Sequence, residues 1–246
     1  MIFFPHAGTL DVLDAHPHED VPMAAGKIMP RFDMKEGRLV KGMHFLDIRD
    51  AGNPVEHALF SRNDGADELA VPGIAATLGN RTTKLEWGTQ VTSVTDIPLT
   101  VGCGIGTPAD TEAVLGAGPD KISTNSAAAK NPGLVREAAS AFGSQRITVA
   151  VDAQRTRARE SGCESAVSGG NVTAARHAVA RALQCEELGA GVPLPTSMDG
   201  DGTLKGNDIF FTRAVVGEMN IPMVASVGAG TLEDFGKAAK GATRAS

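Results

Sequence analysis

Apolar and polar positions along this chain follow two rhythms. Seven short runs rich in apolar and β-branched residues have the length of buried strands: KIMPRF (27–32), ELAV (68–71), PLTV (98–101), KIST (121–124), ITVAV (147–151), VPLP (192–195) and MVAS (223–226). Between them lie stretches with helical spacing: PVEHALFSRNDG (54–65), PADTEAVLGAG (108–118), PGLVREAASAFG (132–143) and TAARHAVARALQCEELG (173–189). Thr107 followed by Pro108 has the chemistry of an N-cap and first helical residue, and Gly143 and Gly189 that of helix stops. Repeated strand–helix alternation predicts a parallel sheet. At 246 residues the leading expectation is an α/β fold of the (β/α)8 TIM-barrel type, with a doubly wound open sheet as runner-up.

One strand-and-turn sentence is written twice. IPLTVGCGIGT (97–107) and IPMVASVGAGT (221–231) pair Ile97/Ile221, Pro98/Pro222, Gly104/Gly228, Gly106/Gly230, Thr107/Thr231 and Asp110/Asp234 at a constant offset of 124 residues. A half-barrel duplicated in sequence produces this spacing. Glycines between a strand and a helix let backbone N–H groups approach an anion, so each copy is a candidate phosphate cradle. Two cradles on one rim suggest a substrate with a phosphate at each end. The bland reading is that tight strand–helix turns need glycine in any α/β protein. A dinucleotide fingerprint fits poorly, because GCGIG (102–106) has the spacing G-x-G-x-G.

Composition narrows the class. The hydrophobic share of 42% allows one large core. A net charge of -6 argues against a nucleic-acid partner, which would need a basic field. No apolar run reaches the length of a membrane span, and the start lacks the basic and apolar regions of a secretion signal. Cys103, Cys163 and Cys185 are an odd set without a CxxC pair, which favours reduced thiols and a cytoplasmic location.

Two carboxylates stand out. Asp33 follows the first strand and Asp152 the fifth, in opposite halves of the chain. In a parallel barrel both reach the carboxyl-end rim, where opposed acids can divide acid and base work if their environments separate them. Either alone reads as a loop cap. TSMDGDGT (196–203), with Asp199 and Asp201, reads best as a hydrogen-bonded loop, and HPHED (16–20) as a solvated tail rather than a metal site.

Several motifs in order resemble the family of imidazole glycerol phosphate synthase cyclase subunits, from histidine biosynthesis. They are FDMKEGRLVKG (32–42), DIRDAGNPVE (47–56), GADEL (65–69), IPLTVGCGI (97–105), GPDKISTNSAA (118–128), FGSQRITVAVDA (142–153), LGAG (188–191), TSMDGDGT (196–203) and IPMVASVGAG (221–230). The resemblance implies a two-phosphate ribulosyl aminoimidazole-carboxamide ribonucleotide as substrate, attacked by ammonia, closed into a ring and cleaved. It implies Asp33 and Asp152 as the acid/base pair and Lys41 on a mobile loop over the site. It implies one phosphate cradle at Gly104, Asn125 and Ser126 and another at Asp201, Gly202 and Gly228. Lys27, Glu68 and Lys121 match three of four gating charges, the fourth being Val192. No metal or cofactor is implied. A glutaminase amidotransferase would dock on the opposite face as the other half of a heterodimer, sending ammonia through the barrel; neither nucleic acid nor membrane is an expected partner.

The chain also departs from the family. Gly73 stands where an Asp is usual, Cys103 interrupts a triple glycine, and Val227 replaces a paired glycine. Pro193 and Pro195 are expected to interrupt the sixth strand. Residues 1–26 are expected to form a flexible extension and 27–246 the barrel, short of its eighth strand–helix unit at the C-terminus. A seven-stranded barrel would leave an edge, which TLDVLDAH (9–16) could fill. Competing readings are a degenerate barrel that binds phosphate ligands or a glutaminase without catalysis, and the sister isomerase of the same pathway.

Overall fold

A computed structural model describes residues 2–4, 27–35, 38–43, 46–71, 81–102, 104–156, 162–167 and 172–241. Strands β1 (Ile2–Phe4) and β2 (Lys27–Ile28) come first, then β3 (Asp33–Lys35), β4 (Arg38–Met43) and β5 (Leu46–Gly52). There follow α1 (Pro54–Asn63), β6 (Leu69–Val71), α2 (Arg81–Val94), β7 (Leu99–Gly102), α3 (Pro108–Gly116), β8 (Lys121–Thr124), the short α4 (Ser126–Lys130) and α5 (Gly133–Phe142). After β9 (Ile147–Arg155) come β10 (Cys163–Val167), β11 (Val172–His177), α6 (Ala178–Glu187), β12 (Val192–Ser197), α7 (Ile209–Glu218), β13 (Met223–Ala225) and α8 (Leu232–Gly241).

The ring of the barrel can be traced pair by pair. Strands β6, β7, β8, β9 and β12 run parallel, each in register with the next. The chain beyond β2 joins β6 through the Arg31–Ala70 bridge, with the Phe32 N–H donating to Ala70 O at 2.8 Å and the Ala70 N–H to Pro30 O at 2.9 Å. On the other side β12 joins β13 through one bridge, Thr196–Ser226. Between β13 and β2 lies β1, antiparallel to both: Phe3 is opposite Val224 on one side and Lys27 on the other. Among the described residues the barrel therefore closes with seven parallel strands and one antiparallel strand. The edge expected from the sequence is occupied by residues 2–4. The segment proposed to fill it, 9–16, lies outside the described residues, as does the rest of 5–26.

Alternation along each strand explains the layers. On β7, Leu99 and Val101 pack outward against Trp87 and Val91 of α2. On β9, Ile147 and Val149 face a cluster with Val135 and Ala138 of α5, and Val151 packs with Phe211 and Val215 of α7. Each such buried Leu or Val is worth roughly 1.5–3 kcal/mol. Facing the other way, Met29, Ala70, Val192, Leu194 and Val224 fill the barrel axis. The same parity turns Lys27, Arg31 and Asp33 inward on the first strand, and Asp152 inward on β9.

Three expectations change. Residues 173–177 are strand, not helix: β11 pairs with β10, with Ala166 opposite Thr173, and α6 begins only after His177, whose Nδ1 accepts the Val179 N–H at 3.1 Å. Ladder pairing there overrides the helical propensity of an alanine-rich run. Pro193 and Pro195 do not interrupt β12, which keeps its register with β9 at Val149 and Val151 and is tied only once to β13. Finally, β3, β4 and β5 form an antiparallel sheet where a loop was expected, and Lys41 lies inside β4 opposite Arg49.

Candidate active site

The first strand and β9 deliver their acids to one rim. Arg31 lies two residues before Asp33 on the same inward face, and its Nε and Nη2 donate to Asp33 Oδ1 at 3.3 and 3.2 Å. The Arg31 guanidinium is buried, which opposes its charge, but the fields of Asp33, Asp152 and Asp201 more than offset that. One cation thus lies within the electrostatic reach of all three carboxylates and bonds directly to one of them. Asp152 is 8% exposed, and Asn125 Nδ2 donates to its Oδ2 at 2.7 Å. Burial pushes the Asp152 carboxyl above its ordinary range; Arg31, Arg181 and the Asn125 bond pull it down, Asp201 adds to the rise, and burial prevails. The two acids occupy different surroundings. Asp33 is ion-paired and part-exposed, while Asp152 is buried and carried toward its protonated form.

The duplicated stretches fold alike, for a reason only partly anticipated. In the first copy the Gly106 and Thr107 N–H groups donate to Asp110 Oδ2 at 3.0 and 2.9 Å, and the Asp110 N–H returns to Thr107 Oγ1 at 3.1 Å. In the second, Gly230 and Thr231 donate to Asp234 Oδ2, both at 3.0 Å, and the Asp234 N–H reaches Thr231 Oγ1 at 3.3 Å. These are reciprocal helix caps at the starts of α3 and α8. The amides that looked free to hold a phosphate at these four positions are engaged by the chain's own carboxylates. What is left for an anion lies one step nearer the strand.

Of the first cradle, Gly104 is exposed with φ 64°, Ser126 opens α4, and the Asn125 side chain is turned to Asp152 and Arg181. Of the second, Gly202 (φ 70°) and Asp201 sit in the turn after β12, and Gly228 (φ 93°) follows β13. The loop after β12 lies on that glycine: the Gly206 N–H donates to Gly228 O at 2.8 Å and Asn207 Nδ2 to Val227 O at 2.7 Å. A Cβ on Gly228 would collide with Gly206 O. Gly228 is thus required by close packing between two rim loops. Asp199 behaves as a loop-forming acid, accepting the Arg155 N–H at 2.7 Å.

At the opposite end of the barrel the three charges expected at the gate meet. Glu68, 2% exposed, accepts from Lys27 at 3.2 Å and from Lys121 at 2.6 Å, one oxygen each. Val192 is buried in the axis cluster. The Lys27 side chain is half exposed, and an exposed ammonium is screened by solvent. The Lys41 side chain, Gly73, Cys103 and HPHED (16–20) lie outside what is described.

Two side chains that bond to the expected site residues escaped sequence reasoning. Arg31 carried a signal, since its two-residue spacing from Asp33 on a strand puts both on one face. Arg181 carried none: on α6 a lone arginine reads as part of a solvated face.

The histidine biosynthesis protein family matches residues 27–245. A protein named imidazole glycerol phosphate synthase subunit HisF from one strain of Prochlorococcus marinus is 45% identical over 212 residues, 86% of this chain and 82% of that protein. The HisF protein of a second strain is 42% identical over 213 residues, 87% and 83% of the two chains. That of Clostridium botulinum is 42% identical over 218 residues, 89% and 86%.

Proposed function

We propose, from the premise that this chain belongs to the histidine biosynthesis protein family, that it is the cyclase subunit of imidazole glycerol phosphate synthase. Its substrate would be the bisphosphorylated ribulosyl aminoimidazole-carboxamide ribonucleotide. Ammonia attack, ring closure and cleavage would give imidazole glycerol phosphate and an aminoimidazole-carboxamide ribotide. Such chemistry moves protons at several atoms, which a pair of differently placed carboxyls can serve. Asp152, carried toward its protonated form, suits the acid role; Asp33, paired with Arg31, suits the base role. The observation that supports this reading is Arg31, hydrogen-bonded to Asp33 and within the field of Asp152, which links the two acids through one cation.

The phosphates would sit at the two rim loops, at Gly104, Asn125 and Ser126 and at Asp201, Gly202 and Gly228. Lys41, on the small antiparallel sheet after the first strand, would approach from above. Lys27, Glu68 and Lys121 would form the gate for ammonia, delivered by a glutaminase subunit docked on that face. The buried hydroxyls of Thr100 and Thr196 lie beside the apolar side chains that fill the barrel axis. No helix among the described residues is long and apolar enough to cross a membrane, and a cytoplasmic location is part of this reading.

The assay is turnover of the ribulosyl substrate with ammonium salt. Asp152→Asn is expected to abolish formation of imidazole glycerol phosphate while leaving ligand affinity nearly intact; undiminished turnover would refute its role. One observation favours a second reading, a barrel that binds without turning over: the Gly206 loop lies on Gly228 and Val227 puts a Cβ beside that cradle. Binding of the substrate with no product, at any ammonium concentration, would select it.

A further inference from the structure

Arg181 is the fourth residue of α6, 4% exposed and flanked by Ala182 and Cys185 of the buried helix face. Its Nη2 donates to Asn125 O at 2.9 Å and to Asn125 Oδ1 at 3.0 Å. A guanidinium has donors and no acceptor. Only the oxygen end of the Asn125 amide can face it, so the NH2 end is left to face Asp152, where Nδ2 meets Oδ2 at 2.7 Å. A reversed amide would set donor against donor at Arg181 and acceptor against acceptor at Asp152. Asn125 thus has one workable orientation, set from the helix layer outside the barrel. The thiol of Cys185 beside Arg181 is pushed up to about 11 by burial and stays neutral, so it does not answer the arginine's charge.

We propose that Arg181 is a positioning residue: acting through Asn125, it fixes the hydrogen bond donated to Asp152 and so sets that carboxyl's orientation and proton affinity. This rests on the reading of Asp152 as an acid/base group. The charged groups acting on Asp152 are Arg31, Arg181 and Asp201, and Arg31 stays in place when Arg181 is changed. Both the Arg181 charge and the Asn125 bond favour the ionised carboxyl. Losing them moves its titration to higher pH.

The test uses the full chain with Arg181→Met and Arg181→Lys. Asp152 is followed by carboxyl carbon NMR without substrate, and turnover with ammonium salt is measured against pH. In Arg181→Met the Asp152 titration is expected at higher pH than in the parent, with kcat lowered about 10- to 100-fold by misorientation and KM little changed. Arg181→Lys, which keeps the charge but not the fork, should fall between; it also carries the test if the methionine variant does not fold. An Asp152 titration that coincides with the parent's in a folded variant overturns the proposal. A parent chain whose Asp152 titration responds to Arg181 as expected, but which shows no turnover, overturns the cyclase reading instead and leaves the Arg181 relay standing.

Discussion

At the scale of single residues, Val227 bears the clearest strain. Its φ is 66°, a left-handed conformation that β-branched residues rarely adopt. The conformation is imposed from outside, by the Asn207 amide on Val227 O and the close packing of Gly206 on Gly228. Strain of this kind costs about 1–3 kcal/mol, and glycine returns roughly 0.5–1 kcal/mol of that to the unfolded chain. Val227→Gly is therefore expected to stabilise the protein by about 1 kcal/mol, seen as a higher urea midpoint with an unchanged slope. A lower midpoint would mean that the valine's packing outweighs its strain. Arg31 offers a second check. It stands within the fields of Asp33, Asp152 and Asp201, on the rim where the proposed function places a bisphosphate. In Arg31→Gln, KM for the ribulosyl substrate is expected to rise at least about tenfold, the scale of one charged hydrogen bond. A fall in KM would show instead that Arg31 obstructs the anion.

At the scale of elements, the twin caps decide how two helices begin. Asp110→Ala and Asp234→Ala should each lower the melting temperature by a few degrees, about the effect of a lost cap in a chain of this size. The Asp234 carboxyl is held below the usual carboxylate range, first by the Gly230 N–H and then by Thr231. A lowered folded value means the cap's contribution is full above the unfolded value of about 4. It is lost as pH falls through the folded value. The gap in melting temperature between parent and Asp234→Ala should hold from neutral pH to about 5 and narrow toward pH 2. A gap independent of pH would remove the carboxylate from the explanation. These caps also show what sequence could tell. KIST (121–124) was legible to the residue because its length, β-branching and flanking Asp120 and Asn125 agree. The duplicated glycines were legible as a pattern but attributed to phosphate, although the T-x-x-D spacing already held the capping signal. The antiparallel strands from 33 to 52 and from 163 to 177 were missed because nothing local marks them. Their pairing partners, such as Ala166 for Thr173, create them. Arg181 was illegible because its role depends on a residue 56 positions away.

At the scale of the molecule, closure of the barrel depends on three residues. Without β1, β13 and β2 would present unpaired edges, and a sheet edge left open invites pairing with another chain. Phe3 lies in register with both neighbours, so its position is interior to the ladder even though its strand comes from the end of the chain. A proline there withdraws a donor and fixes φ away from the extended value. Phe3→Pro is expected to destabilise the fold by at least a lost buried hydrogen bond, about 1 kcal/mol or more, while Phe3→Val, which keeps the backbone and a strand-favouring side chain, leaves the ladder in place. The effect should also reach the site. β13 leads into Ser226, Val227 and Gly228 at the rim; it is tied to β12 by one bridge, and β1 supplies its ladder pairing. Loosening β13 should therefore raise KM for the bisphosphate while leaving the Asn125–Asp152 bond, which rests on β8, β9 and β12, in place. Thermal melts with size-exclusion chromatography check the first part, expecting a lower melting temperature and association of Phe3→Pro. KM and kcat in the same variant check the second, expecting KM to rise more than kcat falls. A Phe3→Pro chain that melts and elutes like its parent would show that the barrel closes without β1.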